Sequence, residues 1–574
     1  MTVAPSAFSL YPWVEAQLGR PAARRWFELS VEVSEVRTAG SIDEVSKRLR
    51  AAAAEDPDSP VSPALLLWVA ELAGRRARYR EAVESFDAVL RATQNAPPFL
   101  GQVTFRPTAL HHKAHVQRSL GDLDGALATL GELAAHGPSS APLFEAGGLA
   151  EDAGRFDSAA QFYQQAAATQ RGPRTDDPGQ LALRGLDRIA DIETVFAPSA
   201  RGIAHLLATA LATGNAADLE RLASKSHLQI GPAGGHFQFE EPEMLGRLCA
   251  DLAGSQIVVG DVLSGAGDKR YLTTSGWRGE WFRGRVGFLL LRSGRGWQWT
   301  GVVLLEPLER WLEHWTLTEK QTNQRLPIQL LAPWPAGRCF EAGGLARFIR
   351  DSALILAGGP FAPLILRRRS RTRCGFGPRG FYYNFATHRG EDAFAIDFTS
   401  YQRGDPFDNQ SGGTPVLAPL DGMVVSACGG ATTGSSAFPN IVEILHADPT
   451  TGAPRFLSRY LHLAGPTLLN VIAGMAVLTG DRLGLMNDTG NSSLSHLHFS
   501  VHDQNVPFPG AGTTFCSGVT RGASVRPMPM EGRDLEDNDN GRCICSTNVE
   551  RPTVGITLPP GCLAALRNLL MPGP

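Results

Sequence analysis

Two histidines one residue apart stand in the run Ser495-His496-Leu497-His498-Phe499-Ser500-Val501-His502. Alternate side chains of an extended strand share a face, so His496 and His498 point one way and Leu497, Phe499 and Val501 the other. Two further stretches are built alike. One is Tyr460-Leu461-His462-Leu463; the other is Thr387-His388-Arg389-Gly390, which leads into Ala395-Ile396-Asp397-Phe398. Each sets a polar residue among apolar neighbours suited to a core. Four histidines and one aspartate on hydrophobic strands could converge on a divalent metal. Imidazole and carboxylate are ligands that zinc favours, and a catalytic zinc keeps one position open for water.

Two other histidines call for a plainer reading. His446, in Ile444-Leu445-His446, is expected to be a buried side chain held by hydrogen bonds, as buried polar groups generally are. His502, followed by Asp503, is expected to close the strand end rather than to bind metal.

The elements that must hold these residues are strands. From residue 375 the chain runs in short apolar stretches broken by Gly, Pro, Asn and Asp, the pattern of an all-β antiparallel domain. Asp421-Gly422 between two valine-rich runs reads as a hairpin turn.

Three of these pieces, in this order, resemble the M23 (LytM/lysostaphin-type) zinc metallopeptidases. The resemblance runs through Thr387-His388-Arg389-Gly390, Ile396-Asp397-Phe398, Gly413-Thr414-Pro415-Val416-Leu417-Ala418 and Asp421-Gly422-Met423-Val424-Val425. It continues in Tyr460-Leu461-His462-Leu463, Asn487-Asp488-Thr489-Gly490-Asn491-Ser492 and His496-Leu497-His498-Phe499. It implies one zinc per chain, with His388, Asp397 and His498 as ligands and His462 and His496 as a catalytic pair beside the metal. The interval from His388 to Asp397 exceeds that of the family's shorter motif, a difference that a loop over Arg389–Ala395 can absorb. The implied activity is hydrolysis of peptidoglycan stems or cross-links, or of Gly-rich peptides. The competing reading is a non-catalytic zinc-binding scaffold joined to an interaction domain. Degenerate scaffolds usually lose a ligand or a catalytic histidine, and all five residues stand here. A biotinyl or lipoyl carrier is excluded, because no lysine follows Lys320 to take the cofactor.

The N-terminal half reads as helices. Gly121-Asp122-Leu123-Asp124-Gly125-Ala126-Leu127 recurs as Gly154-Arg155-Phe156-Asp157-Ser158-Ala159-Ala160, an offset of 33 residues, and Arg78-Tyr79-Arg80-Glu81-Ala82-Val83 is an earlier copy. This resembles tetratricopeptide repeats, whose helix pairs bury their apolar faces only by stacking. Such a stack would offer a concave surface to a protein partner. No proposed catalytic group lies there, so removing residues 1–190 is expected to leave the chemistry intact.

The whole chain of 574 residues is too long for one core. The fold class expected is a multidomain α+β protein. Its parts are a helical segment over 1–59, repeats over 60–195 and an α+β domain over 196–318. A Pro/Gly/Arg-rich connecting region follows over 319–374, then the M23-like domain over 375–510 and a turn-rich, cysteine-containing segment over 511–574. The 196–318 block is loosely similar to NTF2-like cone domains. Its Trp277, Trp281, Trp297 and Trp299 suit a packed sheet core, with a platform for sugar or peptide as the alternative. Arg367–Arg373 is a basic run and Glu531–Asp539 an acidic one, and Leu563–Leu570 reads as a short helix.

A net charge of −3 argues against nucleic acid as a partner. No membrane span is expected, since the longest apolar run, Ala353–Leu366, is short and broken by Gly358-Gly359-Pro360. The first residues lack the basic and apolar regions of a secretory signal, which stands against the wall substrate that the resemblance implies. Seven of eight cysteines lie from Cys339 onward. Disulfides and buried thiols both fit that distribution.

Overall fold

The computed structural model describes residues 8–169 (except 37–38, 95–96 and 137–139), parts of 182–190, and 196–222, 229–232 and 248–304 (except 265–268, 280–282 and 294). It further describes 330–342 (except 334, 337 and 338), 395–399, 412–429, 439–505 (except 466–468, 491, 493 and 494), 522–525, 543–545, 548, 550 and 551. His388, Trp281, the basic run, the acidic run and the C-terminal helix expected from the sequence lie outside the described residues.

The N-terminal part is helical: α1 (Tyr11–Leu18), α2 (Arg20–Glu35), α3 (Ala39–Glu55), α4 (Ser62–Arg75), α5 (Tyr79–Ala92), α6 (Phe105–Leu120), α7 (Leu123–Ala135), α8 (Ala141–Asp152) and α9 (Phe156–Ala168). The 33-residue recurrence marks the turn inside each hairpin. Helices α4, α6 and α8 all end in the same pair of hydrogen bonds. In α6, Gly121 N–H reaches Arg118 O at 3.0 Å and Asp122 N–H reaches Gln117 O at 2.9 Å. Gly154 with Arg155 repeats this pair after α8, and Ala77 with Arg78 after α4. The residue at the turn must take a positive φ. Gly121 (80°) and Gly154 (73°) do so freely, whereas Ala77 (56°) carries a Cβ into that region.

The middle block pairs helices with a sheet. Helices α10 (Ala200–Thr213) and α11 (Ala216–Leu222) precede β1 (Gln229–Pro232), β2 (Val258–Ser264), β3 (Lys269–Arg278), β4 (Arg283–Ser293) and β5 (Gly296–Leu304). The strand order is β1-β5-β4-β3-β2, with β1 parallel to β5 and the other pairs antiparallel. Helix α10 packs on this sheet. Trp277, Trp297 and Trp299 are buried in the core between them, and Trp299 Nε1–H donates to Gly301 O at 2.7 Å. These aromatics are packing residues, not a platform.

The C-terminal part is dominated by a large antiparallel sheet. Its strands are β6 (Cys339–Ala342), β7 (Ile396–Thr399), β9 (Gly422–Cys428), β10 (Asn440–Ala447), β11 (Pro454–Leu463), β12 (Ala476–Val477), β14 (Leu497–Asp503), β15 (Ala523–Val525) and β16 (Cys543–Cys545). They run in the order β12-β9-β10-β11-β14-β7-β6-β16, with β15 also on β14. A small second sheet joins β8 (Pro415–Leu417) to β13 (Arg482–Leu485).

Three features depart from the sequence reading. First, Asp421-Gly422 makes no hairpin, because β8 pairs with β13 and β9 pairs with β10 and β12. The Asp421 carboxylate instead accepts from Thr479 N–H at 2.7 Å and from the Thr479 hydroxyl at 2.9 Å. Gly422 is needed for close approach of β10, since a Cβ there would meet Leu445 O at 2.6 Å. Second, β6 lies in the stretch read as a connecting region and β16 in the C-terminal segment, yet both extend the sheet through β7. Strands of three and four residues are too short to show an alternating pattern. Third, helices α1–α6 are not separable from the sheet. One continuous core holds residues from Phe8 to Val116 together with Leu330 to Val501.

The joint between helices and sheet is built around residues 471–476. Trp26 Nε1–H donates to Gly474 O at 2.8 Å and Trp68 Nε1–H to Ala473 O at 3.0 Å. The Arg75 guanidinium donates to Val471 O at 3.0 Å, and Ala476 N–H donates to Ser30 Oγ at 3.3 Å. Both indoles are fully buried. Each is worth about 4–6 kcal/mol of gross hydrophobic stabilisation. Removing residues 1–190 would therefore strip one wall from the core of the sheet domain, contrary to the expectation that those residues are dispensable.

Candidate active site

Strand β14 carries the site, flanked by β11 and β7. The register sets His498 opposite Leu461 on β11 and opposite Asp397 on β7. Directly opposed positions of an antiparallel pair share a sheet face, so positions 397 and 498 belong to one face. His496, two residues before His498, is fixed by a bridge in which its N–H donates to Asn487 O at 3.1 Å. The alternation read from the sequence holds: Leu497 and Phe499 are fully buried in the core, and Phe499 packs on Tyr460 with ring centroids 5.3 Å apart.

His462 breaks the alternation, and the break places it in the site. Leu461 faces with His498 and Tyr460 with Phe499. A regular strand would therefore send His462 to the Phe499 side. Its φ of 62° turns it instead towards the other histidines. The His462 ring lies 4.6 Å from that of His496 and 6.0 Å from that of His498, edge-on to the latter. A left-handed residue with a Cβ costs about 1–2 kcal/mol and is held only when its surroundings over-determine it. Those surroundings are visible. Asn440 Nδ2 donates to Ala464 O at 2.8 Å and to Leu463 O at 3.2 Å, and the Thr489 hydroxyl donates to Leu463 O at 2.7 Å.

The Asn487–Ser492 segment anchors two of the rings and sets the tautomer of one. His462 Nδ1 lies 2.7 Å from Thr489 O, an acceptor only, so Nδ1 carries the hydrogen and Nε2 keeps its lone pair. His496 Nδ1 meets Ser492 Oγ at 3.1 Å. Thr489 and Ser492 come from the Asn487–Ser492 segment, whose type pattern was legible but whose orienting role was not. His462, His496 and His498 are all nearly buried, at 7%, 6% and 4% exposure.

A buried ion pair lies on the same sheet face. Arg459, opposite Ser500, has its Nε 3.4 Å from Glu443 Oε1, and Glu443 is fully buried. Sequence reading missed this pair, because Arg459 and Glu443 become neighbours only through the pairing of β10 with β11.

Of the five residues singled out, the structure brings His462, His496 and His498 together and sets Asp397 opposite His498 by backbone register. The two plainer histidines are structural. His446 Nδ1–H donates to Asp421 O at 2.8 Å, and its Nε2 meets Ser458 Oγ at 2.6 Å. Burial pushes its pKa down to about 4, which keeps the ring neutral. His502 is enclosed by Ser500 Oγ at 3.0 Å and Gly522 O at 3.1 Å. Among the cysteines, Cys428 is disulfide-bonded.

Residues 402–509 match the family model for peptidase family M23. The sheet carries an M23 domain. A comparison with curated protein sequences gives no match. Among solved structures, the catalytic domain of the antimicrobial peptidase lysostaphin from Staphylococcus simulans is 26% identical, over 22% of this chain and 77% of that one, with a TM-score of 0.15. A zinc-containing peptidase from Vibrio cholerae is 16% identical, over 41% of this chain and 53% of that one, with a TM-score of 0.16. The helical region is similar to a tetratricopeptide repeat protein from Parabacteroides merdae, at 17% identity over 37% and 70% of the two chains and a TM-score of 0.23. The M23 match spans β8–β14 and includes His462, His496 and His498, but begins after Asp397. No helix among the described residues is long and apolar enough to cross a membrane.

Proposed function

We propose that the M23 domain is a zinc-dependent endopeptidase acting on the peptide stems or cross-links of peptidoglycan. The observation that carries this reading is the convergence of three imidazoles, one of them held there by a strained backbone. In this reading His388, Asp397 and His498 hold the metal, and His462 and His496 do the proton chemistry. The donor types fit a zinc site of two imidazoles and one carboxylate, and the pairing of 397 with 498 supports it. A zinc ion held there supplies a Lewis acid that acidifies water and polarises the scissile carbonyl.

The remaining work belongs to the chain. His462, with Nδ1–H anchored on Thr489 O, offers Nε2 to accept a proton from the attacking water and return it to the leaving amine. His496, held by Ser492, borders the same space and orients the developing charge. Near-complete burial of these rings limits competing bulk water and strengthens each polar contact.

The test is digestion of purified sacculi by the full chain, with mass analysis of the released fragments. His498→Ala is expected to lower the rate by about 10³-fold or more, because several kcal/mol of metal-derived stabilisation is lost. Metal-loaded protein that binds wall fragments without cleaving them would instead establish the scaffold reading.

A further inference from the structure

The helical repeats contain a second cluster of metal-ligating side chains, remote from the sheet in sequence and separate from its chemistry. His111 and His115 lie one turn apart on α6, and Glu145 projects from α8 of the next hairpin. His115 Nε2 is 2.8 Å from Glu145 Oε1, His111 Nε2 is 3.2 Å from Glu145 Oε2, and the two Nε2 atoms are 2.9 Å apart. The rings meet edge to face at 4.4 Å. His111 is almost fully buried, while His115 and Glu145 keep 15% exposure. His112 takes no part, since its Nδ1 turns away to Glu71.

With both rings neutral and Glu145 ionised, no arrangement of hydrogens satisfies all three contacts. Each neutral ring has at most one Nε2 hydrogen. If both rings donate to Glu145, two N–H groups face each other across 2.9 Å. If one ring donates to the other, the acceptor ring turns a lone pair on the carboxylate. A cation removes the conflict, because both nitrogens and the carboxylate then present lone pairs to one positive centre. In tetrahedral zinc sites with bonds of 2.0–2.1 Å, ligand atoms lie about 3.3 Å apart. The observed spacing needs an expansion of only a few tenths of an ångström.

We propose that His111, His115 and Glu145 form a second site for a divalent transition metal of the zinc class. The site joins α6 to α8 and so staples two successive repeats. The partial exposure of His115 and Glu145 leaves the fourth position to water. Stability of a repeat array depends on the interfaces between neighbours, so an ion bridging one interface stabilises the stack by mass action.

The experiment uses the full chain equilibrated with equimolar increments of zinc, dialysed, and read by metal analysis. Cobalt(II) substitution provides a second, spectroscopic readout. The His115→Ala/Glu145→Gln double variant is expected to hold one equivalent fewer than the wild type and to lose one tetrahedral cobalt band. His498→Ala should also hold one equivalent fewer, by removal of the sheet site, and the combined variant none. Glu145→Gln alone keeps the hydrogen-bonding shape and, checked by helical circular dichroism, guards against simple unfolding. It should lose the same equivalent while remaining helical. A double variant that retains the wild-type metal count overturns the proposal, whatever the sheet site does. Loss of the equivalent only in a variant that has also lost its helical signal, with Glu145→Gln fully loaded, overturns it equally.

Discussion

Ala77 and His462 both hold a left-handed backbone, at φ of 56° and 62°, in opposite regions of the molecule. Ala77 sits at an exposed hairpin turn in the helical repeats, where the two later copies use Gly121 and Gly154. Its strain performs no task that glycine would not perform better. His462 ends a buried strand, and its strain moves an imidazole from the core side of the sheet to the side of His496 and His498. Equal backbone cost thus has two meanings. What separates them is whether the side chain reaches something only that conformation allows.

Substitution by glycine sharpens the contrast. His462→Gly and His462→Ala should both lower hydrolysis of wall fragments by about a hundredfold, the usual worth of a general acid–base group. Their stabilities should differ. The glycine variant should unfold with about 1–2 kcal/mol more free energy than the alanine variant, because only alanine keeps a Cβ at positive φ. Equal denaturation midpoints for the two would show that the site stores no strain.

Leu100 is a third residue of this kind, at φ 51°, and it is buried in the core. Leu100→Gly relieves the backbone but deletes a packed side chain, so a net loss of about 1–3 kcal/mol is expected by urea unfolding. A gain would mean that its packing contributes little. The smallest effect belongs to Ala77→Gly. It should raise stability by about 1 kcal/mol and leave hydrolysis unchanged. Any loss of activity there would erase the distinction between the two regions.

The sequence makes some of this legible. Alternation over Ser495–Val501 is a local property, and it correctly sends Leu497 and Phe499 into the core with His496 and His498 opposite them. The 33-residue recurrence likewise marks the hairpin turns, because each turn demands a residue that tolerates positive φ. His462 is a different case. Alternation alone puts it on the wrong side of the sheet, and only its resemblance to a known motif recovers it.

Other features escaped because their partners are distant in the chain. His111 and His115 have ordinary i, i+4 helical spacing, and nothing local announces that Glu145 of the next repeat completes the group. Trp26 and Trp68 look like residues serving their own helices, whereas their indoles bond to carbonyls of the sheet domain. Strands β6 and β16 are too short for any pattern and exist through pairing with β7 and each other.

The joint around residues 471–476 also has a consequence in time. The indole of Trp68 and its carbonyl partner are 405 residues apart in the chain, and those of Trp26 are 448 apart. At synthesis rates of 5–20 residues per second, about 20–90 s pass between the making of each indole and the making of its acceptor. Through that interval the nascent helices carry an unfinished apolar wall that no local element can cover. Completion of the shared core is therefore bound to a single late event, the arrival of the segment around residues 471–476.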